Sequence, residues 1–288
     1  MSRFVKEPAT IEAQLAKLET RGCLIEDRPY AMSVLEKINY YRLANYFAVF
    51  HDDRKFYRRG TSFNSVIHLY DFDRRLRGQL LIFLEEIEIS MRAVISNYHA
   101  LKYGALGYHN EASFSHSHNH NRFISKIERL IESNTDVGFV SHHNKKYSGA
   151  FPLWVIMELF SFGMLAFFFD DMQTGDQKEI SDRCFGGFIS ARHIGSWLEC
   201  LAALRNHCAH YCRIYANTIE PSPKPLESAP FKMDGNVFSF IYIMRLLDRY
   251  LFGGETIAAS LAALIEEYED VVDLKTMGFP ENWEEILA

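Results

Sequence analysis

The run Leu201-Ala202-Ala203-Leu204-Arg205-Asn206-His207-Cys208-Ala209-His210-Tyr211-Cys212-Arg213 holds the residues best suited to chemistry. Apolar spacing around it predicts a helix from about Ile194 to Tyr215. On such a helix Asn206, His210, Arg213 and Asn217 fall at i, i+4, i+7 and i+11 and line one face, where an apolar stripe is usual. Arg205 lies one position off, within reach of that stripe through its long side chain. A guanidinium forks onto phosphate oxygens and stabilises the charge that grows as a phosphorane forms. An imidazole, titrating near neutrality, removes or delivers a proton. On RNA the 2′-hydroxyl beside the scissile phosphate is a built-in nucleophile, so neither a metal nor a protein nucleophile is required, and a 2′,3′-cyclic phosphate results. The scheme wants a base and an acid, while one chain offers His210 and a less well aimed His207. Two copies facing across a two-fold axis supply both, which predicts a homodimer with a composite site. Taken alone, Arg-x4-His also fits a capped or salt-bridged polar face with no activity.

The elements that must position these residues read as all-α: apolar positions recur at helical spacing, and no stretch shows sustained alternation. Thr10 is placed to cap a first helix ending at Gly22, and Pro29 starts a second that runs through NYYRLANYFAVF. After a polar hinge at 51–62, a long helix is expected from Phe63 to near Gly104, with Glu88 and Arg92 paired at i, i+4. Residues 107–149, rich in His, Asn and Ser, read as a surface loop or lid with one short helix at Phe123–Ile131. Phe151–Phe169 has a single charge, Glu158; that acid together with Pro152, Ser161 and Gly163 favours a helix buried in a core over a membrane span. A polar connection follows, then the Ile194–Tyr215 helix, an irregular segment with four prolines, and a final helix pair at Val237–Leu251 and Thr256–Val272. The domain division expected is an N-terminal helical region, 1–60, and a helical domain, 61–288.

Composition limits the rest. The 288 residues, 48% hydrophobic and 24% charged, describe an ordinary folded protein and exclude disorder, collagen and a secreted disulfide scaffold. Five cysteines, an odd number, read as reduced thiols in a cytoplasmic protein. Residues 1–14 carry no leader-like apolar segment. The net charge of −6 argues against a nucleic-acid partner until it is mapped. Residues 266–288 hold eight acids against one lysine, which leaves the body near neutrality with basic clusters at Arg54, Lys55, Arg58, Arg59 and at Arg74, Arg75, Arg77. The first cluster suits RNA contact; the acidic end reads as a solvated helix face, or as a cover over a basic groove. His116, His118 and His120 alternate as ligands on an extended segment do, but no nearby Cys or acid cluster completes a tetrahedral site, and no metal is expected. Tyr40, Tyr41, Arg42 and Tyr46 combine aromatic faces with a cation, a mixture more often core than RNA platform. Asp71, Asp73 and Arg77 fit intrahelix salt bridging.

R-N-H-C-A-H at 205–210 resembles the R-x4–6-H signature of the HEPN superfamily (the higher eukaryotes and prokaryotes nucleotide-binding fold). More specifically, the chain resembles the Abi-like family of the AbiD/AbiF type. The matching stretches are N-Y-Y-R-L-A-N-Y at 39–46, G-T-S-F at 60–63, L-Y-D-F-D-R-R-L-R at 69–77, I-E-I-S-M-R at 87–92, P-L-W-V-I-M-E-L-F-S-F-G at 152–163 and M-G-F-P-E-N-W at 277–283. The resemblance implies a HEPN-type helical bundle with an N-terminal extension and a His-rich insertion at about 107–149. It implies a phage-defence ribonuclease that needs no metal, with Arg205 and His210 catalytic and Asn206 orienting, and RNA as substrate. For some members it also implies a small structured RNA as regulator. A HEPN module that binds RNA without cutting it is the alternative.

Overall fold

Helix ends along this chain are set by short polar signals. The computed structural model describes residues 7–253 and 256–288, so the first six residues of the stretch read for a leader lie outside the described residues. Helix α1 (Ile11–Thr20) starts where the Thr10 hydroxyl accepts from the Ala13 amide at 3.2 Å. Helix α2 (Arg28–Lys37) is capped by Asp27 and carries Pro29 in its first turn. The expected continuation through residue 50 does not form. Ile38 and Asn39 are extended, and the Asn39 carboxamide oxygen accepts from the Tyr41 amide at 2.7 Å, which starts a separate helix α3 (Tyr40–Phe47). Asparagine bonds the backbone in non-helical conformations and so favours a cap over a helix interior.

Helix α4 (Phe63–Tyr103), 41 residues and about 60 Å long, is the axis of the fold. A Ser62/Ser65 capping box opens it and Gly104, at φ 87°, ends it. Leu69, Phe72, Leu76, Leu80, Leu84, Ile87, Met91 and Ile95 recur at three- and four-residue steps and are buried on it. The 107–149 region is not a surface loop. It forms α5 (His120–Ser133) and α6 (Gly138–Lys146), and it buries Tyr108, Phe114, Ile127 and Val140 in the common core. Phe123, Ile124, Ile127, Leu130 and Ile131 recur at helical spacing on α5, whereas α6 offers only Phe139 and Val140 as large apolar residues, too few to show a periodicity.

The apolar run at 151–169 is likewise not one helix. It divides into α7 (Leu153–Ile156), a 3-10 turn and α8 (Phe162–Asp171), because Phe160 is extended and Ser161 caps the next helix. No helix among the described residues is long and apolar enough to cross a membrane. The polar connection after it contains α9 (Thr174–Phe185), tied to α4 by the buried carboxylate of Asp176, which accepts from the Tyr98 and Tyr103 hydroxyls and pairs with Lys102.

Helix α10 (Ala191–Ala209) packs against α8 and α4, while α11 (Val237–Leu251) and α12 (Thr256–Glu267) complete the layer around α4. Gly195 on α10 leaves the space that the Asp170 carboxylate of α8 occupies, and a Cβ there would push that side chain aside. The acidic end is packed rather than loose, since Tyr268, Met277, Phe279 and, on α13 (Trp283–Leu287), Trp283 and Leu287 are buried. Among the described residues there are helices, turns and isolated bridges, so the fold is all-α.

One buried group makes the fold sensitive to acid. His99, 0% exposed among Tyr103, Phe114 and Phe168, has no hydrogen-bond partner on either ring nitrogen. Burial brings its pKa down to about 4 from an ordinary 6.5. A depressed value in the folded state means that stability is complete above pH 6.5 and is lost as pH falls from there through 4, by about 3 kcal/mol in all. Urea unfolding between pH 7 and pH 4 should therefore show a smaller loss for His99→Leu than for the parent chain; equal losses would remove His99 as the cause.

Candidate functional site

The motif sits where α10 stops. His210 is the C-cap, its amide donating to the Asn206 carbonyl, and the chain then turns sharply. The Tyr211 amide donates to the Cys208 carbonyl and the Cys212 amide to the His207 carbonyl, the paired bonds of a Schellman motif. That motif needs a left-handed residue, usually Gly, and here Tyr211 holds φ at 59°. Arg42 from α3 secures it, donating to the Tyr211 carbonyl at 2.8 Å with its guanidinium 5.7 Å from the Tyr211 ring. The expected helix to Tyr215 is thus too long by five residues or more. Arg213 and Asn217 leave the stripe: the Arg213 guanidinium donates to the Asn45 and Ala216 carbonyls, and the Asn217 carboxamide donates to the Arg213 carbonyl. Apolar periodicity could not register a helix end created by contacts from another helix.

The segment after the turn hangs on one carboxylate. Asp73, fully buried on α4, accepts from the Ile214 and Tyr215 amides at 3.0 and 2.7 Å through one oxygen. The other oxygen accepts from the Tyr46 hydroxyl at 2.6 Å and pairs with Arg77, which also donates to the Cys212 carbonyl at 3.3 Å. The intrahelix ion pair Asp73–Arg77 is therefore present, and it also fixes residues 212–215.

Of the three residues assigned to catalysis, two are free. Asn206 and His210 are exposed, and neither side chain has a hydrogen-bond partner among the described residues. Arg205 points toward α4, its Nε buried without a hydrogen bond and 3.8 Å from the Glu88 carboxylate. Glu88 also pairs with Arg92, whose guanidinium donates to the Phe160 carbonyl at 2.7 Å. Burial raises the Glu88 carboxyl above its ordinary value, against the opposing pull of Arg92 and Arg205. His207 is turned back on the helix, its Nδ1 at 3.0 Å from the Ala203 carbonyl. One chain thus presents a half-buried guanidinium, an exposed carboxamide and one exposed imidazole at a single helix end.

The other candidates divide clearly. Arg54, Lys55, Arg58 and Arg59 are exposed on a turn pinned by Asp52 and by the Tyr57 amide's bond to the Arg21 carbonyl. Arg58 and Arg213 share a cleft of about 430 Å³ with Tyr215 and Asp273. The second basic cluster is neutralised within the fold: Arg74 pairs with Asp71, Arg75 with Glu267 and Arg77 with Asp73. The acidic end meets α4 there, with Asp270 3.2 Å from His68 and the Tyr268 hydroxyl donating to Asp71. The alternating histidines are not on an extended segment: His120 begins α5, and His118 Nδ1 bonds Asp171 at 2.8 Å while its Nε2 faces His120. Among the described residues no group of three or more His, Cys, Asp or Glu is arranged to hold a metal ion. Cys208 is buried with its thiol pushed up to about 12 by burial, whereas Cys212 is exposed. Three residues that build the site were not assigned to it from sequence: Arg42, Asp73 and Glu88. Each lies in one of the quoted motifs and was read there in another role: Arg42 beside the tyrosines, Asp73 and Glu88 as members of intrahelix ion pairs.

Together these features define an all-α protein whose free polar side chains cluster at the end of a core-packed helix. A family model described as Abi-like protein matches residues 33–216, more than half of the chain, and the chain belongs to the Abi-like family. The match runs from α2 to the turn beyond the motif and ends before the 277–283 stretch. No curated protein and no solved structure matches the chain.

The Asp73 network carries a test. Asp73→Ala strips a buried arginine of its counter-charge and two amides of their acceptor, which should cost about 3–5 kcal/mol of stability. Hydrogen exchange at Ile214 and Tyr215 should rise beyond that of other amides of equal burial. Unchanged protection there would mean that the turn is held by something else.

Proposed function

We propose that the chain is a HEPN-type endoribonuclease of phage defence that cuts RNA without a metal. The observation that carries this reading is the pair of exposed side chains at the end of α10, Asn206 and His210, which have no hydrogen-bond partner among the described residues, beside Arg205, whose Nε makes no hydrogen bond and only a long ion pair with Glu88 at 3.8 Å. A structural polar face engages its side chains, as Arg213 does on the Asn45 and Ala216 carbonyls; Asn206 and His210 are not engaged in this way. In the reaction, the 2′-hydroxyl oxygen attacks the adjacent phosphorus as its proton passes to an imidazole. Arg205 stabilises the charge on the non-bridging oxygens, and Asn206 orients the strand or the imidazole. The 5′-oxygen leaves with a proton from a second imidazole, giving a 2′,3′-cyclic phosphate and a 5′-hydroxyl. One chain exposes one suitably placed imidazole, so the working unit is a homodimer in which His210 of each copy takes one role.

RNA approaches along the exposed Arg54–Arg59 turn, which supplies phosphate contacts outside the reacting centre. A structured small RNA bound there is a regulator consistent with the same charges. A non-catalytic RNA-binding role is favoured by a single observation, that Glu88 stands near Arg205 where a phosphate would sit. Incubation with single-stranded RNA in EDTA distinguishes the two. Cleavage is expected, falling at least a hundredfold in Arg205→Ala and in His210→Ala and less in Asn206→Ala. Binding without cleavage, or cleavage that all three variants retain, would overturn the catalytic reading.

A further inference from the structure

A second place on the molecule has the chemistry of an RNA contact. Between α6 and α7 lies a cleft of about 520 Å³ lined by His142, Tyr147 and Trp154, with Ala105 and Leu106 among its other lining residues. The chain builds it by a tight reversal. Ser148 and Gly149 are both left-handed, at φ 51° and 77°, and the Tyr147 and Gly149 amides both donate to the His143 carbonyl. Beyond the reversal, the Leu153 amide donates to the Ala105 carbonyl, which locks α7 opposite α6. His143 stiffens the wall, with its Nδ1 2.9 Å from the Ala150 carbonyl and its ring stacked on Phe151. The aromatic surface is left open: Trp154 is 50% and Tyr147 46% exposed.

Charge selects the occupant. Lys145 and Lys146 lie in the last turn of α6, next to the Tyr147 that lines the cleft, Lys146 with its ammonium 5.3 Å from the Tyr147 ring centroid. No Asp or Glu occurs from residue 137 to residue 157. The next acid along the chain, Glu158, faces Arg92 at 3.9 Å. Open aromatic faces also attract cations, but Lys145 and Lys146 beside them repel one. Planar aromatic walls beside acid-free lysines match a planar group joined to anions. We propose that this cleft binds an unpaired base of single-stranded RNA between Trp154 and Tyr147, with Lys145 and Lys146 taking the adjoining phosphates. The inference rests on the reading that the chain meets RNA, but not on cleavage.

The three tryptophans give a selective readout, because Trp197 and Trp283 are buried. The full chain, carrying His210→Ala, is titrated with a 2′-O-methyl single-stranded decamer; anisotropy of the labelled strand reports binding anywhere, and tryptophan emission reports the cleft. Binding should quench the exposed emission and shield it from acrylamide. Trp154→Phe should abolish the quenching with a small change in affinity. Trp154→Ala and Tyr147→Ala should each weaken binding about tenfold at unchanged circular dichroism. Replacing Lys145 and Lys146 by Ala should weaken binding and flatten its salt dependence. An anisotropy rise with no change in emission, or full affinity in Trp154→Ala, overturns the cleft assignment and leaves RNA binding elsewhere intact. No anisotropy change at all overturns both. Quenching by duplex as strong as by single strand, or by AMP at the strand's affinity, also overturns the proposal.

Discussion

One buried carboxylate, Asp73, holds this site together. It stands in the first third of α4, away from water, and is compensated by Arg77, the Tyr46 hydroxyl and the Ile214 and Tyr215 amides. An isolated carboxylate at that depth would cost several kcal/mol, so each partner is required by the others. The consequence is geometric. α3 is fastened to α4, and the chain leaving α10 is fastened to both, so the helix has to end at Ala209 and His210 has to lie at its tip. Arg42 completes the clamp from the outer side by stabilising Tyr211 in a conformation that its side chain disfavours.

Four of the stretches that carry the family resemblance lie far apart in the chain and meet at this point. Arg42, Asn45 and Tyr46 come from 39–46, Asp73 and Arg77 from 69–77, Glu88 and Arg92 from 87–92, and the Phe160 carbonyl from 152–163. They surround the end of α10 as a supporting shell, which explains why short motifs with no chemistry of their own accompany the Arg-x4-His pair. Such a shell holds reacting groups at fixed spacing, as catalysis by position requires.

Much of this was legible in the sequence where local rules govern. α4 was visible end to end, from Phe63 to the stop at Gly104, because its apolar residues follow one period and a left-handed glycine terminates it. Arg205, Asn206 and His210 were singled out from residue type and spacing together with the family resemblance. Three features were not legible, because a local cap or a tertiary partner overrode the apolar pattern. Asn39 and Ser161 each broke a continuous apolar pattern by capping a new helix. The end of α10 depends on Asp73 and Arg42, more than a hundred residues earlier. The packed nature of the acidic end follows from Tyr268, Phe279 and Trp283, whose few apolar side chains a count of charges hides. Net charge was similarly misleading, since Glu267 and Asp270 are matched against α4 while Arg54, Lys55, Arg58 and Arg59 stay in water.

The central claim is that the RNA supplies its own nucleophile and the end of α10 supplies the charge and the protons. It is tested most directly by comparing, in EDTA, an all-ribose strand with the same sequence made of 2′-deoxy sugars, and by determining the chemistry of any new ends. The account predicts cleavage of the ribose strand alone, leaving 2′,3′-cyclic phosphate and 5′-hydroxyl termini. Cutting of the deoxy strand, or 5′-phosphate products that appear only when a divalent metal is added, would contradict it.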